Sequence, residues 1–275
     1  MWSSLLSAAL LPETALLDLQ ARHFAVVPSF LTPSTVRAIR ADMSRLAEAG
    51  KFEEAGVGSG DSNRLAVEQR RCSTCHLYPD EAAAELCGAG DDVARQKLYD
   101  AIDSIRDSLS EFDDRPLVKT EGLYLDYPLG GFFKRHIDAA PPGLGLDQEW
   151  RRYSYLLYLN DVQRGGELRL YTDDDFVEVQ PRAGTLVVFR SDLVEHEALE
   201  TRQPRVAVAG WFSRREGGWR AALLRRLGFI RDLKIETLRV YCTSRARAHR
   251  CSSSNHWRSA SESTTGSVER SRSTR

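Results

Sequence analysis

YPLGGFFKRHID, residues Tyr127–Asp138, ends a strand-like aromatic run with an imidazole and a carboxylate two residues apart. Side chains on a β-strand alternate faces with a period of two, so positions 136 and 138 point the same way. Such a pair is either a surface ion pair or part of a site, and His-x-Asp alone is too short to say which. The surroundings are more informative. Beyond Leu117 the apolar period changes from helical to alternating. Candidate strands run over Thr120–Tyr127, Phe132–Ile137, Tyr153–Leu159, Glu167–Tyr171, Phe176–Val179, Thr185–Phe189 and Arg205–Phe212. Pro-Pro-Gly, Arg-Gly-Gly and Arg-Ala-Gly punctuate them. Many short strands at this spacing predict a sandwich or jelly roll, which closes or stacks its edges.

Upstream the pattern is helical. In LTPSTVRAIRADMSRLAEAG, Thr32 can cap a helix, Pro33 suits its first position and Gly50 can stop it. Val36, Ile39, Met43 and Leu46 form its apolar stripe. Asp92–Ser110 predicts a second amphipathic helix, with Val93, Leu98, Ile102, Ile105 and Leu109 inward. Helices first and strands later give an α+β class with a β core. The expected organisation is a helical supporting region over 1–116, a jelly-roll core over 117–216, a C-terminal helix within 217–242 and a tail over 243–275. The tail is rich in Ser, Arg and Thr with almost nothing to bury, so it is expected to be disordered. Gly56–Ser62, GVGSGDS, reads as a flexible loop.

The net charge of −1 gives no global pull toward nucleic acid or anionic membrane. It conceals an asymmetry, because Thr243–Arg275 holds seven Arg against two Glu and carries +5, leaving −6 for the rest. No segment approaches the roughly 18 apolar residues of a membrane span. The N-terminal apolar run lacks a basic flank and is broken by Pro12 and Glu13, so a secretory leader is not expected. Five cysteines are too few and too irregular for a disulfide scaffold. The odd count favours a reducing compartment, cytoplasmic, with the nucleus as the alternative. Cys72-Ser-Thr-Cys75-His76 spells a haem-attachment string, and with Cys87 it could hold zinc. Buried or redox-sensitive thiols are the plainer reading of these cysteines.

A third residue changes the weight of His136 and Asp138. His196 follows the apolar run Thr185–Phe189 and a short acidic loop, and early and late strands of a jelly roll can lie side by side. Two histidines and one carboxylate from two strands make the facial triad of non-haem Fe(II) oxygenases, which leaves positions open for chemistry. Arg205 opens the strand RVAVAGWF nine residues later. An arginine inside a β core calls for a carboxylate, which its planar fork grips in two places. A 2-oxo acid with a distal carboxylate meets both ends. Glu195 and Glu197, beside His196, read as exposed loop acids or as groups that orient it.

These residues together resemble the Fe(II)/2-oxoglutarate-dependent dioxygenases of the prolyl 4-hydroxylase type. The match comprises Tyr127-x-x-Gly130-Gly131-x-x-x-x-His136-x-Asp138, Leu157-Tyr158-Leu159-Asn160, Gly165-Gly166-Glu167-Leu168, His196, and Arg205 with Trp211 six residues on. HFAVVPSFLTPSTVRAIRADM is similar to the family's first strand and helix, so the resemblance runs from about His23 to Phe212. It implies a double-stranded β-helix in which His136, Asp138 and His196 ligate iron. Arg205 would bind the distal carboxylate of 2-oxoglutarate, with Tyr127 and Tyr158 near that cosubstrate. Trp211 would stand beside the iron, although for Tyr158 and Trp211 a plain core role fits equally. Fe(II), 2-oxoglutarate, O2 and L-ascorbate are the implied cofactors. A proline-containing peptide or protein is the implied substrate, with lysyl side chains or nucleic acid as alternatives and a non-catalytic barrel as the contrary reading. No membrane partner is expected, and nucleic acid only through the basic tail. Phe133 departs from the family, which often has Tyr there.

Overall fold

The structure, a computed structural model, describes residues 10–56, 66–78, 80–139, 148–173 and 175–216. In chain order the elements are α1 (Glu13–Arg22), β1 (Phe24–Val27), α2 (Pro33–Glu48), β2 (Glu53–Glu54), β3 (Arg70–Arg71), β4 (Ser73–His76), α3 (Asp80–Glu85) and α4 (Asp92–Phe112). There follow β5 (Lys119–Tyr127), β6 (Phe132–His136), β7 (Gln148–Tyr158), β8 (Leu168–Tyr171), β9 (Phe176–Val179), β10 (Leu186–Arg190), β11 (His196–Ala198) and β12 (Arg205–Glu216).

The strands form two sheets, a seven-stranded one in the order β1-β10-β7-β12-β5-β4-β2 and a five-stranded one in the order β3-β6-β11-β8-β9. All the pairings are antiparallel, and the whole is the jelly roll that the strand spacing predicts. The larger sheet is covered on both faces, and period-two alternation sorts its side chains. Tyr124, Tyr153, Tyr155, Leu157, Val188, Val208 and Phe212 pack with Ile39, Leu46, Leu98, Ile102, Ile105 and Leu109 of the helices. Leu123, Leu125, Tyr127, Tyr158, Val187, Phe189 and Ala207 turn the other way and meet Leu168, Leu170 and Ala198 of the smaller sheet. Burial on both faces explains why LVVFR of β10 reads as an unbroken apolar run.

The expected helices are present. Thr32 caps α2 by accepting from the Thr35 N–H, Pro33 opens it, and Gly50 stands just past its end with φ +69°. In that left-handed conformation a glycine carries no Cβ penalty. Val93 corrects the expected stripe of α4: it lies in the first turn and is exposed, while Leu98, Ile102, Ile105 and Leu109 are fully buried. An unforeseen polar joint fixes α2 to α4 and the sheet. Asp42, fully buried, accepts hydrogen bonds from Arg95 Nη2 at 2.7 Å, Arg95 Nε at 3.2 Å, Tyr124 Oη at 2.8 Å and the Asp91 N–H at 2.6 Å. Four donors on one carboxylate satisfy a charge that burial alone would strongly disfavour.

The expected C-terminal helix within 217–242, the tail, and all but the first residue of the Gly56–Ser62 loop lie outside the described residues. No helix among the described residues is long and apolar enough to cross a membrane.

Candidate active site

β6 and β11 lie side by side in the smaller sheet, with His136 directly opposite His196 in the pairing. The strand that carries His136 starts tightly. Gly130 has φ +74°, and a Cβ on Gly131 would stand 2.8 Å from the Pro128 carbonyl oxygen and 2.9 Å from that of Arg71. The Gly130 N–H donates to Thr201 O and the Thr201 N–H donates to Gly131 O, binding this turn to the chain that follows β11. Asp138 differs from expectation in one respect. β6 ends at His136, so Asp138 lies past the strand in a bend. The Ala139 N–H donates to Ser191 O at 3.1 Å, which draws the chain across toward the other sheet. The carboxylate still turns to the histidines.

One ligand atom each from His136, Asp138 and His196 lie within 4.8 Å of one another, the only such group of three among the described residues. His136 Nε2 is 3.5 Å from Asp138 Oδ1, and His196 Nε2 is 3.7 Å from Oδ2. The Nδ1 atoms face backbone carbonyls, that of Lys134 at 2.8 Å and that of Val194 at 3.3 Å. A carbonyl only accepts, so each Nδ1 carries a proton, and Nε2 is the ring atom that each histidine turns to the cluster. Phe133 stacks on His136 with ring centroids 3.7 Å apart, and Phe189 lies 4.5 Å from His196. Burial lowers the His196 pKa to about 4 against the opposing pull of Asp138, so the ring is neutral at physiological pH. Burial would raise the Asp138 pKa, but His196, His136 and the Ser154 hydroxyl outweigh it and hold the carboxyl well below the usual range. Two imidazoles and one carboxylate, sharing a small volume, form a donor set suited to a divalent metal.

The cavity at the cluster, of about 70 Å³, is also lined by Tyr127, Arg205, Ala207 and Leu125. Arg205 is 3% exposed, lies across the Tyr127 ring at 3.9 Å, and donates from Nη1 to the Gly166 carbonyl. Among the described residues its Nε has no hydrogen-bond partner, nor has the buried hydroxyl of Tyr158. A buried guanidinium with no carboxylate partner among the described residues, beside an unmet hydroxyl, is suited to receive an anion. Burial pushes the Tyr127 hydroxyl up to about 12, and the Cys72 thiol adds to the shift, so it stays protonated. Trp211 lines the cavity wall and is covered from outside by Arg151, 3.7 Å above its ring.

Glu195 and Glu197 are accounted for elsewhere. Glu195 pairs with Arg135, while Glu197 accepts from Arg169 at 3.0 Å and from the Tyr171 hydroxyl at 2.6 Å. Cys72 and Cys75 belong to cores on opposite faces of the larger sheet, so the two thiols point apart. Two contributors escaped the sequence reading. Ser154 donates to Asp138 Oδ2 at 2.6 Å, and Arg70 lies over Phe133 at 4.7 Å with Nε on the Cys72 sulfur. The parity of β7 puts Ser154 on one face with Leu156 and Tyr158, but parity alone does not say that this face meets Asp138.

Comparison with known proteins agrees with this fold. Residues 122–213 match the 2OG-Fe(II) oxygenase superfamily. A Pseudomonas putida prolyl-4-hydroxylase is similar at 28% identity and a TM-score of 0.61, over 73% of this chain and 98% of that one. A Trichoplax adhaerens prolyl hydroxylase, solved with a hypoxia inducible factor peptide fragment, shares the fold at 23% identity and a TM-score of 0.59, over 72% and 86% of the two chains. SnoK, a non-heme alpha ketoglutarate dependent carbocyclase of nogalamycin biosynthesis, shares it at 15% identity and a TM-score of 0.52, over 80% and 92%. The barrel has the 2OG-Fe(II) oxygenase fold of the prolyl 4-hydroxylase type.

Proposed function

We propose that this protein is an Fe(II)- and 2-oxoglutarate-dependent dioxygenase that hydroxylates a C–H bond of a peptide, with proline the favoured side chain. One observation carries the reading: the His136–Asp138–His196 cluster opens into the same cavity as a buried arginine with an unmet N–H. His136, Asp138 and His196 would hold the metal. Arg205, with the Tyr158 hydroxyl, would take the far carboxylate of 2-oxoglutarate. When bound, ferrous iron supplies the chemistry by which O2 converts 2-oxoglutarate to succinate and carbon dioxide and hydroxylates a substrate C–H, with L-ascorbate keeping the metal reduced.

The chain's own residues contribute binding, orientation and exclusion of water. The carbonyls of Lys134 and Val194 set the imidazole tautomers. Phe133 and Phe189 fix the ring planes and keep one side of the cluster apolar. Arg205 would hold the far carboxylate of the cosubstrate in the cavity that the histidines also line. Phe133, standing where the family often has Tyr, stacks on His136 but offers no hydrogen bond to a ligand there.

A peptidyl substrate rests on the likeness to the Pseudomonas prolyl-4-hydroxylase, with the peptide-bound Trichoplax structure as a precedent for the fold. The experiment is to incubate iron-loaded protein with 2-oxoglutarate and peptides bearing proline or lysine, then measure succinate and a one-oxygen mass gain. A gain on proline-containing peptides supports the reading. A gain confined to lysyl peptides or nucleic acid replaces the substrate class, and no turnover on any substrate contradicts the enzyme.

A further inference from the structure

The three members of the cluster are not held in place in the same way. His136 and His196 face each other across paired strands, and each Nδ1 is tied to a carbonyl two residues before it. Each histidine thus carries its positioning device on its own strand segment. Asp138 has no such device, because it lies beyond the end of β6.

What holds it comes from the opposite sheet. Ser154 of β7 donates to Oδ2 at 2.6 Å, and its oxygen lies 2.8 Å from that of Ser191. Ser191 also accepts the Ala139 N–H through its carbonyl. Both serines are buried, Ser154 at 2% and Ser191 at 0% exposure. The proton order follows from the donor count. An ionised carboxylate only accepts, so the Ser154 proton goes to Asp138 and the Ser191 proton must go to Ser154. Each bond in such a chain polarises the next and strengthens it. The chain fastens one carboxylate oxygen, fixes the plane of the group and leaves Oδ1 on the His136 side.

We infer that Ser154 is a positioning residue for the metal-binding carboxylate, backed by Ser191, and that it sets metal affinity by orienting Asp138 from the opposite sheet. The inference rests on the proposed metal role of the cluster. Outer partners of metal ligands typically change metal affinity by about 10- to 100-fold when removed. The larger sheet would then contribute to the site at both ends, through Arg205 at the anion and Ser154 at the metal. Only the two histidines are supplied wholly by the smaller sheet.

The test compares Ser154→Thr with Ser154→Val, two side chains of the same shape that differ by the hydroxyl. Full-length protein is titrated with Co(II) under nitrogen, without 2-oxoglutarate, and the Kd is read from the visible absorption of the bound ion. Thermal unfolding of each metal-free variant is measured alongside. The inference expects Ser154→Thr to bind within about threefold of the parent, Ser154→Val and Ser154→Ala about 10- to 100-fold more weakly, and Ser191→Ala between them. Equal affinity for the Thr and Val variants, with equal metal-free unfolding temperatures, overturns it. If the parent shows no Co(II) binding that Asp138→Ala abolishes, the metal reading of the cluster fails instead, and the two failures are distinguishable.

Discussion

His136 and His196 are direct partners in the antiparallel pairing of β6 and β11, their ring centroids 4.2 Å apart and their Nδ1 atoms turned away to backbone carbonyls. One strand pairing therefore sets the separation of two ligand atoms and delivers both Nε2 atoms to the same space. His136 is only partly buried, so removing its ring should affect the metal far more than the fold. His136→Ala is expected to abolish Co(II) binding in a direct titration while metal-free stability falls by less than about 1.5 kcal/mol, within the ordinary range for a partly exposed position. Retained stoichiometric binding would separate His136 from the site.

Arg205 and Tyr158 should report on the cosubstrate alone. Loss of a buried, charged hydrogen-bonding partner costs about 2–5 kcal/mol, so Arg205→Ala should raise the 2-oxoglutarate requirement at least roughly 30-fold. Tyr158→Phe removes one neutral hydroxyl whose partner is unmet. A rise of about fivefold is expected, near 1 kcal/mol. Isothermal titration of 2-oxoglutarate into metal-loaded protein measures both. An unchanged Kd for Arg205→Ala would remove that residue from the anion site.

Asp42 lies outside the cavity, and its substitution tests the support of the barrel. Asp42→Ala strands the buried Arg95 guanidinium, whose remaining hydrogen bonds go to the Leu86 carbonyl and Asp92. About 3–5 kcal/mol of stability should be lost, seen in urea as a lower midpoint with an unchanged slope. A loss below about 1 kcal/mol would mean that α2 and α4 dock independently of this joint.

Cys75 should be chemically silent. Burial raises its thiol pKa to about 11, so at pH 8 only about a thousandth is thiolate. Burial disfavours the charged form, so reactivity is lost below that pKa and returns as pH rises through it. Alkylation at pH 8 should therefore be slow until the protein unfolds, followed by mass spectrometry of the Cys75 peptide. Rapid labelling of native protein would contradict the burial of Cys75 in the core between the larger sheet and the helices.

The fold was legible wherever alternation or helical period was sustained, as in α2, α4, β5 and β12. It was illegible where elements are short. His196–Ala198 is a three-residue strand, and β3 has two residues, too few for any periodic signal. The cluster was legible because His136, Asp138 and His196 belong to a spaced motif. Arg205 was legible as a charge opening an apolar strand. Ser154 and Asp42 were not, since a serine in an alternating strand and an aspartate in an amphipathic helix carry no local mark of burial. Only the packing of one sheet against another, or of helix on helix, gives them their partners. Asp138 was placed on the correct side for an incomplete reason: the strand ends before it, and the cross-sheet bonds of Ser154 and Ala139 turn it inward.

The most direct measurement of the central claim is succinate formed from 2-oxoglutarate under air by the Fe(II)-loaded parent protein and by Asp138→Ala prepared in parallel. The account predicts succinate from the parent, raised by a peptide substrate, and none above background from the variant although both are folded by circular dichroism. Equal succinate from the two proteins would contradict the assignment of the His136–Asp138–His196 cluster as the seat of the reaction.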